Sequence, residues 1–399
     1  MVDSVKSWKR LLISLVIALI TNVGIWAIVV ILPAIETEFN SGRGGATLPY
    51  TLTLVGFAIG NFLIGHLVDK YGVVKALVFG TILISVSFLV SAFSFNLNLI
   101  IVAHFFLGIG TSSGFGPLIS DISRWFYRKR GIAVAIIASG NYLSGVIWSP
   151  AIANIMTHTG WREVYIILAL AIFVTSIPLS FFLRERKIAN SFTAIEYQRL
   201  SKTPVLVISA RKLQLLLGLA GVGCCIAMAM PQVHIVAYCV GLGYGSTTGA
   251  EMLSVMLAFG VASRIFFGVC SDRLGGLPTL IISSSLQMIS LFFFLPFNSM
   301  ASLYFVSAIF GLSQGGIVPS YAIVVREYLP EREAGRRIGI VLMLTIFGMA
   351  IGGWMSGLIF DITGDYQGAF INGILWNFFN IGILAWLFLT IGKLKVFKK

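Results

Sequence analysis

The sequence predicts an all-α membrane protein: twelve transmembrane helices in two pseudo-symmetric six-helix bundles. Three observations carry that reading. The 399 residues are 57% hydrophobic and only 11% charged, with a mean hydropathy of +0.94. That is more apolar surface than soluble cores can hide. The apolar residues fall into twelve runs, each near the roughly 20 residues a bilayer span needs. Finally, a polar motif occurs twice. Gly65-His66-Leu67-Val68-Asp69-Lys70-Tyr71-Gly72, followed by Lys75, is answered by Gly268-Val269-Cys270-Ser271-Asp272-Arg273-Leu274-Gly275. A duplication at about 200 residues fits a fold built from two similar halves.

Breaks at charge, proline and glycine clusters define the runs in order. Run 1 (10–33) follows Ser7-Trp8-Lys9-Arg10 and is too long for the apolar core of a cleavable signal. Run 2 (48–69) closes on the first copy of the motif, and run 3 (75–95) opens after it. Runs 4 (98–122) and 5 (131–156) flank the basic stretch from Arg124 to Arg130. Both are rich in Gly and Ser, which suits close helix packing in lipid. Run 6 (163–183) ends the first bundle, residues 1–183. A polar linker at 184–210, with Arg184-Glu185-Arg186-Lys187 and Glu196-Tyr197-Gln198-Arg199, leads to the second bundle, 211–399. Run 7 covers 211–238, and run 8 (247–270) closes on the second copy of the motif. Run 9 (277–296), the Gly- and Ser-rich run 10 (301–325), run 11 (336–360) and run 12 (367–392) complete the set. Cys224, Cys225, Cys239 and Cys270 all fall in runs and are expected to be small packing residues. The adjacent pair Cys224 and Cys225 is not expected to form a disulfide, and the four have no zinc spacing.

The net charge of +13 is distributed by side. With the amino terminus in the cytoplasm, all of the 28 Lys and Arg residues except Arg43, Arg162 and Arg264 lie at the cytoplasmic ends of the runs. The positive-inside rule then places both termini in the cytoplasm of a multi-pass protein of the cell's inner (plasma) membrane. The basic excess is thus an orientation signal and a contact for anionic membrane lipid, not a nucleic-acid surface. No nucleotide-binding loop is present, so any work is driven by a gradient or is passive. A membrane enzyme would show a metal or nucleophile cluster at a membrane face, and a sensor would carry a signalling domain. The sequence shows neither, and no cofactor or metal is expected.

The duplicated Gly-x-x-x-Asp-Arg/Lys-x-Gly turn resembles the loop motif of the major facilitator superfamily of transporters. That resemblance implies the major facilitator fold and a gating role for Gly65, Asp69, Lys70 and Gly72 and for Gly268, Asp272, Arg273 and Gly275. A carboxylate at a helix end accepts hydrogen bonds from the free N–H groups of a neighbouring helix start. In the superfamily, Asp69 would meet helix 11 near Gly335, and Asp272 would meet helix 5 near Arg130. Such contacts would form and break as the two halves alternate access. The plain alternative is an ordinary polar turn.

Arg264 is the second signal. It lies in run 8, roughly 12 Å above Asp272 at 1.5 Å per residue. A guanidinium does not lose its charge, so at that depth it needs an anion or water. A planar donor fork facing a cavity suits a small carboxylate. The alternative is a structural arginine bonding helix carbonyls or Asp272. Three stretches resemble the monocarboxylate-transporter and oxalate/formate-antiporter branch of the superfamily. They are Arg264-x-x-x-Gly268-x-x-x-Asp272-Arg273, Arg124-Trp125-Phe126-Tyr127-Arg128-Lys129-Arg130-Gly131-Ile132-Ala133, and Ser356-Gly357-x-x-x-Asp361-x-Thr363-Gly364-x-Tyr366.

The branch resemblance implies that Arg264 binds substrate carboxylate, with His234 as hydrogen-bond donor or proton carrier and Tyr321 directing its hydroxyl to the same group. Asn141 and Tyr142 are polar-tipped residues in an apolar Gly/Ser stretch and join the candidate substrate site. Many superfamily members carry Arg where His104 precedes Gly108-Ile109-Gly110, so His104 either keeps a proton relay or marks its loss. Glu251, the acid near the outer half of run 8, is a candidate for proton coupling or a helix cap. The chain also departs from the animal carriers, with Gly260 where they have an acid and no helix 1 lysine. Residues 338–360 carry no Lys or Arg, so one intramembrane cation favours a monoanion over a dianion. The expected function is proton symport of a lactate- or pyruvate-like monocarboxylate by a monomeric carrier. The alternatives are an oxalate/formate-type anion exchanger, a drug or metabolite efflux carrier and, outside transport, a membrane sensor.

Overall fold

A computed structural model describes residues 3–126, 129–184, 208–329 and 331–396. Among these residues, twelve helices are long and apolar enough to cross a membrane. Span 1 is Val5–Phe39, span 2 Gly42–Tyr71, span 3 Val73–Ala92, span 4 Leu97–Ser123, span 5 Gly131–His158 and span 6 Trp161–Phe181. Span 7 is Ala210–Gly241, span 8 Gly245–Leu274, span 9 Gly276–Phe293, span 10 Met300–Tyr328, span 11 Gly335–Thr363 and span 12 Gln367–Thr390. Each predicted run lies in one of these helices, with ends shifted by a few residues. Span 1 is the most extended relative to its run, because the amphipathic turns at both of its ends stay helical. In a bilayer a helix satisfies its own backbone, which is why these apolar runs take no other form.

The structure repeats itself locally. The two motif copies end spans 2 and 8 on glycines of matching conformation, Gly72 at φ 89°, ψ 165° and Gly275 at φ 88°, ψ 165°. A side chain rarely tolerates that region of backbone space. In both copies the glycine N–H donates to the carbonyl four residues back, Val68 in one and Ser271 in the other, at 2.9 Å. Spans 4 and 10 also break at similar places. Span 4 passes through a short 3₁₀ turn at Ser112–Gly114 before resuming at Gly116. Span 10 is interrupted by Gly315 and Gly316 between its helical pieces Met300–Gln314 and Ile317–Tyr328.

The chain packs as two compact units. The first comprises Met1–Ile188, Gln232–Ala258 and Gly353–Gly364, and the second Ala189–Pro231, Phe259–Gly352 and Asp365–Lys399. Spans 7, 8 and 11 therefore contribute to both. At one end of the first unit a core gathers Ile17, Ile64, Val68, Leu118, Trp125, Phe126 and Leu183. Beside it runs a buried ion pair. Arg10 Nε donates to Asp121 Oδ2 at 2.7 Å, and Arg10 Nη2 donates to Asp121 Oδ1 at 2.9 Å and to the Leu183 carbonyl at 3.1 Å. The guanidinium lies over the Trp125 ring, 4.5 Å from its centroid.

Elsewhere in the first unit, Asp361 of span 11 caps the start of span 2. Its carboxylate accepts from the Arg43 N–H at 2.7 Å and from the Gly44 N–H at 2.8 Å. The Arg43 side chain pairs with Glu36 at 3.1 Å and covers the Phe360 ring at 3.9 Å. Gly44 and Gly357 allow the two backbones to meet here. A methyl on Gly357 would stand 2.8 Å from the Arg43 carbonyl oxygen.

Candidate functional site

The duplicated motif places its carboxylates at helix ends, as a polar turn following an apolar span must. Asp69 pairs with Arg124 at 3.6 Å while 72% of its side-chain surface stays exposed. Asp272 and Arg273 are exposed, as is Lys70. Gly65 and Gly268 share a further property: a Cβ built on either meets nothing within 4 Å. Their smallness is not required by any contact the described residues make.

In the second unit, Arg264 sits half-buried in span 8, ten residues or roughly 15 Å before the helix ends at Leu274. Its turn is fixed against span 10. Ser263 Oγ donates to the Leu312 carbonyl at 2.6 Å, and Gly315 leaves room for the backbone at Gly260 and Arg264 and for the Ser263 side chain. Tyr321, in the same unit, is fully buried. Its hydroxyl donates to Asn380 Oδ1 at 3.0 Å. Asn380 Nδ2 donates to Asn377 Oδ1 at 3.0 Å, and Asn377 Nδ2 donates to the Ser284 carbonyl at 3.1 Å. This chain leaves Tyr321 an oxygen that can accept and a proton already in use. A nearby amide pair joins Gln287 Nε2 to the Cys224 carbonyl at 3.2 Å. Cys224, Cys225, Cys239 and Cys270 are free thiols.

The other candidates belong to the first unit. His234 is fully buried in span 7, and its Nε2 lies 2.8 Å from the Gly353 carbonyl of span 11, which fixes that nitrogen as the protonated one in the neutral ring. Asn141 and Tyr142 converge on Trp26. The indole Nε1 donates to the Asn141 carbonyl at 2.9 Å and to Asn141 Oδ1 at 3.0 Å. The Tyr142 ring meets the indole edge-on with centroids 6.4 Å apart. His104 is saturated by the protein itself, with Nδ1 2.9 Å from the Ile100 carbonyl and Nε2 3.0 Å from the Tyr165 hydroxyl. That geometry ties span 4 to span 6. Glu251 is exposed near the start of span 8. Among the described residues no group of three or more His, Cys, Asp or Glu side chains gathers to hold a metal.

Sequence reading missed the partners of Arg10, Asp361 and Asn380. Each is a polar residue at or inside an apolar span, which signals that a partner exists without saying where. Asp121 lies 111 positions from Arg10, and Asp361 lies 318 from Arg43.

Comparison with known proteins is consistent along the chain. The sequence profile of the Major Facilitator Superfamily matches residues 14–300 and 242–398. The agnestins efflux protein of Paecilomyces divaricatus is 23% identical over 84% of this chain and 75% of its own length. Monocarboxylate transporter 13 of Bos taurus is 25% identical over 79% of this chain and 75% of its own. The crystal structure of a bacterial homologue of the human lysosomal transporter Spinster superposes with a TM-score of 0.73, covering 97% of both chains at 14% identity.

Proposed function

The chain belongs to the Major Facilitator Superfamily, and from that premise we propose that it carries a small organic monocarboxylate, lactate- or pyruvate-like, together with one proton by alternating access. The observation that carries this reading is Arg264, a permanent cation held deep in an apolar helix. Its planar fork matches a carboxylate bidentately. Spending one cation on one carboxylate favours a monoanion, and span 11 supplies no second cation between 338 and 360. The relatives named as monocarboxylate transporters support the same class.

In this reading His234 and Tyr321 complete the polar contacts, and each does so by exchanging an internal bond. His234 releases the Gly353 carbonyl to donate elsewhere, and Tyr321 releases Asn380. Asn141 and Tyr142 contribute through Trp26. His234 is the group that carries the proton, with Glu251 and His104 as further candidates. Moving a monoanion with one proton is electroneutral, which avoids about 2.3 kcal/mol per charge per 100 mV of membrane potential. The turns at Asp69 and Asp272 gate the cytoplasmic side of a monomer whose termini both face the cytoplasm of the inner membrane.

The test is uptake of radiolabelled lactate into proteoliposomes, with and without an inward proton gradient. Native protein is expected to show saturable, gradient-driven uptake. Arg264→Ala removes hydrogen bonds to a charge worth about 1.5–3 kcal/mol, roughly a 10- to 150-fold loss of apparent affinity. Uptake indifferent to the gradient but stimulated by carboxylate inside the vesicle identifies an exchanger instead. A second reading, efflux of a drug or metabolite, is favoured by the likeness to the agnestins efflux protein. Under that reading Arg264→Ala leaves transport intact and no carboxylate competes.

A further inference from the structure

A cavity of about 300 Å³ opens at the basic end of the first unit. Its floor is apolar, formed by Val68, Val73 and Leu183, and its rim holds Lys75, Arg124 and Arg184. The acid in the lining, Asp121, has both carboxylate oxygens engaged by Arg10. Arg124 pairs with Asp69 at 3.6 Å, so Lys75 and Arg184 make up the excess of positive charge over an apolar base. Its mouth carries aromatic side chains. Tyr71 lies between the Lys70 and Lys75 ammonium groups, 5.0 and 5.6 Å from its ring centroid, and Phe181 is 58% exposed.

The second unit shows what this place in the fold receives. There span 9 starts just after Gly275, as span 3 starts just after Gly72. The first amide of span 9, on Gly276, donates to both carboxylate oxygens of Glu327 at 3.0 Å. Glu327 comes from the end of span 10, where the chain supplies its own anion. Just past the end of span 4 stands Arg124, and Gly72, the residue before span 3, has no side chain with which to cap it. The start of span 9 thus meets the Glu327 carboxylate, and the start of span 3 borders the cavity.

We infer that this cavity binds the phosphate headgroup of an acidic phospholipid, which occupies in the first half the position Glu327 fills in the second. The cationic rim takes the phosphate. The first turn of span 3, whose Gly72, Val73 and Val74 line the cavity, adds backbone amides at its wall. The apolar floor and Phe181 accept the glycerol and the start of the acyl chains. The inference goes beyond the transport reading and does not depend on which solute is carried.

Native mass spectrometry of the purified full chain, titrated with phosphatidylglycerol or phosphatidylcholine, tests it. The native protein is expected to retain one phosphatidylglycerol in preference to phosphatidylcholine. Lys75 and Arg184 are both exposed, so K75Q/R184Q leaves the fold intact and is expected to weaken that retention at least tenfold. Val74→Trp, which fills the cavity and keeps its charges, is expected to do the same. R326Q, which removes an exposed cation outside the cavity, leaves retention unchanged. Glycerol 3-phosphate, the headgroup chemistry without acyl chains, is expected not to displace the lipid. Retention in K75Q/R184Q and Val74→Trp equal to native overturns the inference, as does an equal loss in R326Q. Displacement by glycerol 3-phosphate at the lipid's own concentration also overturns it and reassigns the cavity to a soluble phosphate.

Discussion

Gly65 and Gly268 occupy helix positions where an added methyl would touch nothing. In a helix Ala is the more favourable residue by about 0.8–1 kcal/mol. Gly65→Ala and Gly268→Ala are therefore expected to leave the unfolding temperature unchanged or slightly raised. If these glycines make room for a helix in another stage of the transport cycle, the same variants slow uptake. Normal uptake with normal stability removes them from the gate. Tyr321 offers a second residue-level test. Tyr321→Phe strands the Asn380 acceptor, and a buried unsatisfied group costs about 1–3 kcal/mol. If the hydroxyl also contacts substrate, apparent affinity falls in addition, so stability and KM must be measured together. At this scale the sequence was legible where a residue contradicts its surroundings. Arg264 stands out in an apolar run and needs no alignment to be noticed. The bond between His234 and Gly353 was not legible, because a backbone carbonyl 119 positions away leaves no mark in residue type.

At the scale of elements, the turn after span 2 and the turn after span 8 are the same object made twice. Gly72→Ala and Gly275→Ala each force a side chain into a glycine-only conformation. Each is expected to cost on the order of 1–3 kcal/mol, read as a fall in thermal stability. Glu327→Gln tests the difference between them. It removes the charge at the start of span 9 and is expected to cost about 0.5–2 kcal/mol, the range for losing a helix cap. Span 2 is capped from a distance by Asp361, so Asp361→Ala carries a similar cost although the two residues are far apart in sequence. The repeated motif made the two turns legible, down to their final glycines. The caps were not legible, since an acid at the end of one helix gives no sign of which helix start it faces.

At the scale of the whole molecule, twelve spans followed from hydropathy and length alone, because a bilayer leaves the backbone one solution for each run. Hydropathy and length carry no information on how the spans group. Spans 7, 8 and 11 contribute to both compact units, and apolar helices of similar composition do not announce their neighbours. Within the first unit the Arg10–Asp121 pair has side chains only 5% and 12% exposed. Removing one partner leaves a buried charge, so Arg10→Met is expected to destabilise by about 3–5 kcal/mol. The double variant Arg10→Met/Asp121→Leu, with both charges gone, is expected to recover most of that loss in thermal unfolding. The pair also sets a timetable for biosynthesis. Arg10 is translated 111 residues ahead of Asp121, a delay on the order of 5–20 s at ordinary elongation rates. During that interval the first span enters the bilayer carrying a charge whose counter-ion has not yet been made. A nascent chain arrested after its third span is thus expected to be degraded faster than one arrested after its fourth, which pulse-chase of the two arrested chains checks.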